Sequence, residues 1–116
     1  MHCACLGIVY DAGMSDTIRI GTLQYYIRPV ERWEQFAEQV EALVWTAHDY
    51  RVKLLVFPEY FTCQLLTLNN IRLPITEQIR HLARYEEQIV GLMKRLSRES
   101  GLYIVGGTLP AIDPPD

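Results

Sequence analysis

Apolar and polar positions alternate in the first clearly patterned segment of the chain. Residues 18–25 place Ile, Leu and Tyr between small or polar residues and are rich in strand-favouring types. Arg28 and Pro29 follow this segment, and proline lacks the N–H group that a sheet ladder needs. The pattern therefore predicts a first β-strand over residues 18–25.

A helical period follows the first strand. Over residues 31–50 the apolar side chains recur every three or four positions, and Glu31 and Glu34 lie in the first turn, where the helix dipole favours negative charge. The apolar positions are Phe36, Val40, Leu43, Val44 and Ala47. This segment is predicted to be an amphipathic helix.

A continuous apolar run, residues 54–57, comes next and ends at Pro58. A run that is apolar at every position is typical of a strand buried on both faces. Strand, helix and buried strand in this order predict a βαβ unit with a right-handed crossover and a parallel sheet. The second strand is expected inside that sheet.

The second half of the chain predicts a loop, a helix and a third strand. Residues 62–75 have no steady period and contain Pro74, so a surface loop with at most a short helical turn is expected. Thr76 is the predicted N-cap of a second long helix that stops at Gly101. Residues 102–105 predict a third buried strand, followed by Gly106-Gly107. The fold class is therefore predicted to be α/β.

Composition and charge argue against nucleic-acid binding and membrane insertion. The 116 residues are 49% hydrophobic and 22% charged, which suits one globular domain or part of one. A formal net charge of -3 leaves no basic stripe, so no nucleic-acid partner is expected. The apolar runs are far shorter than the ~20 residues that span a bilayer, so no membrane partner is expected.

The first residues and the cysteines bear on the cellular compartment. Residues 1–13 have no Lys or Arg before their apolar stretch, so they make a poor signal peptide and are assigned as a leader or linker, with Met14 as an alternative start. Cys3, Cys5 and Cys63 are an odd number of cysteines, interpreted as free thiols in the cytoplasm. The histidines are scattered, so neither a metal nor another cofactor is expected.

Glu59 is the candidate catalytic residue. It stands one residue beyond the proline that ends the second strand, and ligands of α/β sheets bind outside the carboxyl ends of parallel strands. Its aromatic neighbours are expected to desolvate it in part, as suits a general base. Tyr60 and Phe61 are candidates for the lining of a substrate pocket. Most glutamates after a proline are solvated turn residues, and spacing alone leaves that alternative open.

The order of these segments resembles the nitrilase, or carbon-nitrogen hydrolase, superfamily. The resemblance covers residues 18–110 and rests on Gln24 at the end of the first strand, Pro58-Glu59 after the second and Gly106-Gly107 after the third. It implies that residues 14–116 form the N-terminal βαβαβ part of an α-β-β-α sandwich. It also implies that the complete protein is a homo-oligomer.

By that resemblance Glu59 is the general base of a Glu-Lys-Cys triad that hydrolyses a non-peptide amide or nitrile. The lysine and cysteine of the triad have no counterpart here. Lys53 precedes a strand and Lys94 lies in a helix, while Cys63 is followed by Gln64 instead of the acidic residue that follows the family's cysteine. The resemblance therefore implies a fragment of a carbon-nitrogen hydrolase that is inactive by itself.

Two other interpretations remain to be compared with the structure. The first is a non-catalytic small α/β protein that binds a partner or a small ligand at the same strand ends, or a remnant that docks on a full-length homologue through exposed sheet edges. The second is a doubly wound nucleotide-binding domain, which is disfavoured because residues 25–29 contain no glycine-rich phosphate loop.

Overall fold

The computed structural model describes residues 5–9 and 17–113. Its strands are β1 (Cys5–Val9), β2 (Ile20–Gln24), β3 (Leu54–Val56) and β4 (Tyr103–Val105). Its α-helices are α1 (Trp33–Asp49), α2 (Ile75–Ala83) and α3 (Glu86–Ser100), and a 3₁₀ helix covers Phe61–Leu68.

The four strands form one sheet in the order β1-β2-β3-β4. Strands β2, β3 and β4 run parallel, and β1 pairs with β2 in the antiparallel sense. The α/β class, the parallel arrangement and the interior position of the second predicted strand, β3, are confirmed. The finer prediction of a four-layer sandwich goes beyond these elements.

Two strands differ from the sequence-based expectation. Residues Cys5–Val9, within the segment assigned as leader or linker, form β1 and pair with β2. Strand β4 was predicted to be buried, but the side chain of Tyr103 is 76% exposed and Val105 is also exposed. The apolar run alone could not reveal that, within the described residues, one face of β4 has no neighbouring layer.

The second long helix is divided in two. Helix α2 ends with bonds of the 3₁₀ type, from Arg84 N–H to the His81 carbonyl (3.2 Å) and from Tyr85 N–H to the Leu82 carbonyl (3.0 Å). The ring of Tyr85 stacks on Trp33 of α1 at a centroid distance of 6.0 Å. The interruption thus coincides with a contact between elements distant in sequence.

The start of α2 also differs from the prediction. Pro74 is the N-cap, instead of Thr76. Its carbonyl accepts the N–H of Glu77 at 3.0 Å and that of Gln78 at 3.1 Å. The helix therefore begins at Ile75, directly after Pro74.

The predicted surface loop is wrong in its first half. Residues Phe61–Leu68 form the 3₁₀ helix, which buries Phe61, Thr62, Gln64 and Leu65. Phe61 and Leu65 both join the hydrophobic core. The segment after Glu59 is therefore held by packing.

Helices cover one face of the parallel sheet. Leu23 and Leu55 share a core cluster with the buried side chains of α1 and α3, which are Phe36, Val40, Val44, Ala47, Ile89, Leu92 and Leu96. Burial of this apolar area is the main force that holds the helices on the sheet.

The opposite face of the sheet is uncovered in the described part of the chain. Strand register places Ile20, Leu54 and Tyr103 in one row across it, and Thr22, Val56 and Val105 in the next. All six side chains are half-buried or exposed. We call these two rows the open sheet face.

Candidate active site

The carboxyl ends of β3 and β4 leave the sheet side by side. Val56 pairs with Val105, and the N–H of Phe57 donates to the Val105 carbonyl at 2.9 Å. Gly107 lies against the turn after β3, since a Cβ added there would be 2.6 Å from the Pro58 carbonyl oxygen. Its φ of +70° also favours glycine. The Pro58-Glu59 and Gly106-Gly107 segments, which the sequence singled out, are therefore in contact.

The end of β2, at Gln24, lies along the same edge of the sheet. Thr22, Val56 and Val105 form one row of the register, and Gln24, Pro58 and Gly107 each lie two residues beyond it. Because β2, β3 and β4 run parallel, these positions occupy one end of the sheet. Gln24 is exposed there.

Glu59 is exposed at this edge. The expected desolvation by its aromatic neighbours is wrong for this chain, because Phe57 and Phe61 are both buried in the core and Tyr60 is 63% exposed. Among the described residues, no cation forms a salt bridge with Glu59. Lys53 precedes β3 at the opposite end of the sheet, and Lys94 is exposed on α3.

Tyr60 adopts a backbone conformation that is rare for residues other than glycine. Its φ is 63° and its ψ is 6°, which for an L-residue costs about 1–2 kcal/mol. Its carbonyl accepts the N–H of Cys63 at 2.9 Å and so begins the 3₁₀ helix. The residue that follows Glu59 thus carries backbone strain, as Arg51 before β3 does with a φ of 60°; strain of this kind often marks functional sites.

Phe61, one of the two residues predicted to line a substrate pocket, packs in the core. The ring of Phe61 is fully buried and lies 4.9 Å from Phe57, 5.7 Å from Tyr25 and 5.9 Å from Phe36, measured between centroids. These contacts give Phe61 a packing role beneath the turn that carries Glu59.

A polar cluster holds the 3₁₀ helix to the rest of the fold. Gln64 is fully buried, and its Nε2 donates to Gln39 Oε1 at 2.8 Å. The hydroxyl of Tyr25 bonds to Gln64 Oε1 and lies 3.2 Å from Gln39 Oε1. Burial raises the pKa of Tyr25 to about 12, against an opposing effect of Arg28. The cluster joins the end of β2, helix α1 and the segment after Glu59.

A groove of about 430 Å³ begins at Tyr60. We call it the Tyr60 groove; its lining consists of Tyr60, Thr62, Cys63, Leu66, Ile75, Ile79, Leu82, Thr108, Leu109 and Pro110. No lining residue is charged. Sequence reasoning missed this groove because most of its wall comes from segments predicted as loop and as helix face. The apolar spacing of Ile75, Ile79 and Leu82 was the available signal.

Cys63 lines the groove as a half-buried thiol. Burial raises its pKa above the ordinary value, so the thiolate is less populated at neutral pH than in a free cysteine. A catalytic cysteine requires the opposite shift. This environment agrees with the interpretation of Cys63 as a packing residue.

Among the residues that the structure describes, no three His, Cys, Asp or Glu side chains come together in an arrangement that could hold a metal ion. Within the same residues, no helix has both the length and the apolar character needed to cross a membrane.

Comparison with known proteins gives one informative similarity. The chain is 34% identical over 91 residues to "Probable hydrolase YhcX" of Bacillus subtilis (strain 168). The aligned part is 78% of this chain but only 18% of that protein, so the chain spans less than a fifth of its relative's length. No family model matches the chain, and no solved structure matches it.

Proposed function

We propose that this chain is the N-terminal part of a carbon-nitrogen hydrolase of the nitrilase superfamily, with Glu59 as its general base. The observation that carries the proposal is the position of Glu59 on a strained turn at the carboxyl end of a parallel strand, between Gln24 and Gly107 on the same edge. The similarity to a protein named as a probable hydrolase supports a hydrolytic reaction.

The proposed chemistry gives Glu59 two proton transfers. It takes the proton of a cysteine thiol as that thiol attacks the amide or nitrile carbon. The C–N bond then breaks and the nitrogen leaves with a proton as ammonia, directly from an amide or after water adds to the thioimidate that a nitrile forms. Glu59 later activates the water that hydrolyses the remaining thioester to the acid and the free thiol. A lysine stabilises the charge that develops on the attacked group. The exposed carboxylate of Glu59 is accessible to such partners. Lys53 precedes β3 at the opposite end of the sheet and Lys94 is exposed on α3. Burial raises the pKa of Cys63, which disfavours the thiolate that a nucleophile needs.

The open sheet face supports the sandwich architecture. Its apolar members are Ile20, Leu54, Val56, Tyr103 and Val105. In an α-β-β-α sandwich this face would pack on a second sheet, while α1 and α3 form the outer layer. Half-buried and exposed apolar rows are the surface that such packing would use.

The test is a chimera in which residues of this chain replace the matching segment of YhcX, assayed for ammonia release from amides and nitriles. We expect Glu59→Gln to lower the rate on the order of a hundredfold or more, because glutamine cannot accept the proton. The control is Glu38→Gln, which changes an exposed glutamate on α1. Equal rates in the two variants would refute the role of Glu59.

The 116-residue chain by itself provides the second arm of the test. We expect no hydrolysis, because the chain lacks the lysine and cysteine of the triad. Activity that is lost in both Glu59→Gln and Cys63→Ala would instead identify Cys63 as a nucleophile. Binding without hydrolysis in the chimera would favour the non-catalytic alternative.

A further inference from the structure

We infer that the Tyr60 groove binds an uncharged, apolar acyl group, so that the preferred substrates are amides or nitriles of aliphatic or aromatic acids without a charge on the acyl chain. This inference rests on the proposed function, because it assigns the groove to the substrate of the Glu59 site. It concerns a binding subsite and adds no step to the reaction.

The lining of the groove includes the residues that directly follow Glu59 and Gly107 in the chain. Tyr60, which follows Glu59, forms one part of its wall, and Thr108, which follows Gly107, forms another. Gly107 lies against Pro58, so these two parts of the wall come from adjacent strand ends. Because of this adjacency, we assign the acyl chain of a substrate that reacts at Glu59 to the groove.

The walls of the groove are apolar, although parts of them face solvent. Ile75 is 62% exposed and Ile79 is 43% exposed, while Leu82 is buried in the core cluster. Leu66 and Leu109 complete the apolar lining. An acyl chain that covers these side chains removes apolar area from water, which favours binding.

The lining offers no partner for a charge. Its polar groups are the hydroxyls of Tyr60, Thr62 and Thr108 and the thiol of Cys63. Burial of an ionised group without a paired charge is strongly unfavourable. The raised pKa of Cys63, caused by burial, is consistent with an environment that disfavours charge.

The size of the groove fits a small molecule. Its volume of about 430 Å³ lies within the range of about 300–1,000 Å³ that small-molecule sites occupy. Apolar sites with a few polar groups are the usual form of such sites. These properties favour an acyl chain of several carbons.

Cys63 provides a direct readout of occupancy in the complete 116-residue chain. The experiment measures the rate at which N-ethylmaleimide alkylates Cys63 in the presence of acetamide, butanamide, hexanamide or succinamate. Cys3 and Cys5 lie on a different tryptic peptide from Cys63, so mass spectrometry measures the alkylation of Cys63 separately from that of the other two thiols. Succinamate has the four carbons of butanamide, with a carboxylate in place of the terminal methyl group.

We expect the neutral amides to protect Cys63 and their half-protecting concentration to fall about fourfold for each added methylene. Succinamate should protect much more weakly than butanamide. The inference would be overturned by equal protection from the neutral and charged amides, or by no protection from hexanamide. It would also be overturned if protection without amide increased with protein concentration, since a second copy would then occupy the groove.

Matched variants localise the effect. Ile79→Asp places a charge on the groove wall and should abolish protection by hexanamide. Ile71→Asp makes the same change at a 65% exposed residue outside the lining and should leave protection intact. Both positions are exposed, so neither variant removes a core side chain. Equal losses in the two variants would argue against binding in the groove.

The outcome can be separated from that of the proposed function. Selective protection by hexanamide, in a protein whose chimera hydrolyses no amide, would support the groove and refute the role of Glu59. Hydrolysis of acetamide by the chimera without selective protection of Cys63 would refute the groove alone.

Discussion

Gly107 is the residue that allows the ends of β3 and β4 to approach each other. A Cβ at this position would lie 2.6 Å from the Pro58 carbonyl oxygen and 3.3 Å from the Phe61 ring. The glycine-rich turn was predicted from the sequence, but its contact with Pro58 depends on the pairing of two strands that are distant in the chain.

Gly107→Ala tests this contact. We expect a loss of about 2–3 kcal/mol in the free energy of unfolding, because alanine adds both the overlap and the cost of a positive φ. Gly91→Ala is the control, since nothing lies within 4 Å of its added Cβ. It lies inside α3 and should gain about 0.5–1 kcal/mol. Urea denaturation measures both; similar values would contradict the contact.

Tyr25 makes the stability of the fold sensitive to high pH. Burial raises the pKa of Tyr25 to about 12 from an ordinary value of 10.0. Between these values the unfolded chain loses the phenolic proton while the folded chain retains it, so stability falls as pH rises from 10.0 toward about 12. Below this window Tyr25 has no effect on the pH dependence.

Urea denaturation across this pH range measures the effect as a difference between variants. Tyr25→Phe should show a shallower decline in stability than the original chain, because phenylalanine cannot ionise. Tyr50→Phe, at an exposed tyrosine, should follow the original chain. A parallel decline in Tyr25→Phe would show that other groups control the high-pH behaviour.

At the scale of elements, hydrogen bonds of Thr67 connect the 3₁₀ helix to the segment before α1. Its Oγ1 accepts the N–H of Val30 at 2.9 Å and lies 3.0 Å from the Val30 carbonyl and 2.8 Å from the Gln64 carbonyl. Val30 is buried, so its N–H has little access to water. The helix that follows Glu59 is therefore fixed by a side-chain bond as well as by packing.

Thr67→Val should lower the free energy of unfolding by about 1–3 kcal/mol, because it keeps the shape of the side chain and leaves the Val30 N–H without its partner. Thr46→Val is the control. Its hydroxyl bonds to the Ala42 carbonyl at 2.8 Å on an exposed part of α1, where water can replace the bond, so a small effect is expected. Equal losses in denaturation experiments would contradict the assignment.

The type and the bounds of helix α1 and strand β3 could be predicted from the local sequence pattern. The period of α1 and the apolar run of β3 are both encoded in neighbouring residues, and both were predicted nearly to their ends. The break between α2 and α3 was missed, because Tyr85 contacts Trp33 across about fifty residues of sequence. Contacts of that kind leave no periodic signal.

At the scale of the molecule, the open sheet face is the surface that we expect to mediate association. Tyr103 and Val105 are exposed on it, and β4 is an edge strand of the sheet. Exposed apolar faces and unpaired edges promote pairing with other chains. We expect the 116-residue chain to self-associate as its concentration increases.

Replacement of Tyr103 and Val105 together by lysine should reduce this association, because charge opposes both face-to-face and edge-to-edge contact. The control is lysine at Ile71 and Ile112, which are exposed apolar residues outside the open sheet face. Sedimentation velocity over a range of concentrations measures the result. If the control pair reduced association as much, general charge repulsion would explain the effect.

The sequence by itself determined the α/β class, the βαβ order and the parallel neighbours of β3, because period and apolar runs depend on residues close in the chain. It also singled out Gln24, Pro58-Glu59 and Gly106-Gly107, whose common edge follows from parallel strands. Their catalytic role remains a prediction.

The tertiary structure alone decided the pairing of β1, the burial of the 3₁₀ helix, the exposure of Glu59 and the existence of the Tyr60 groove. Each depends on contacts between segments far apart in sequence. Phe57, Tyr60 and Phe61 illustrate the reason: they are similar aromatic residues close together in the chain, yet two are buried in the core and one lines the groove. Hydrophobicity favours burial, but the backbone path decides which side chain reaches the core.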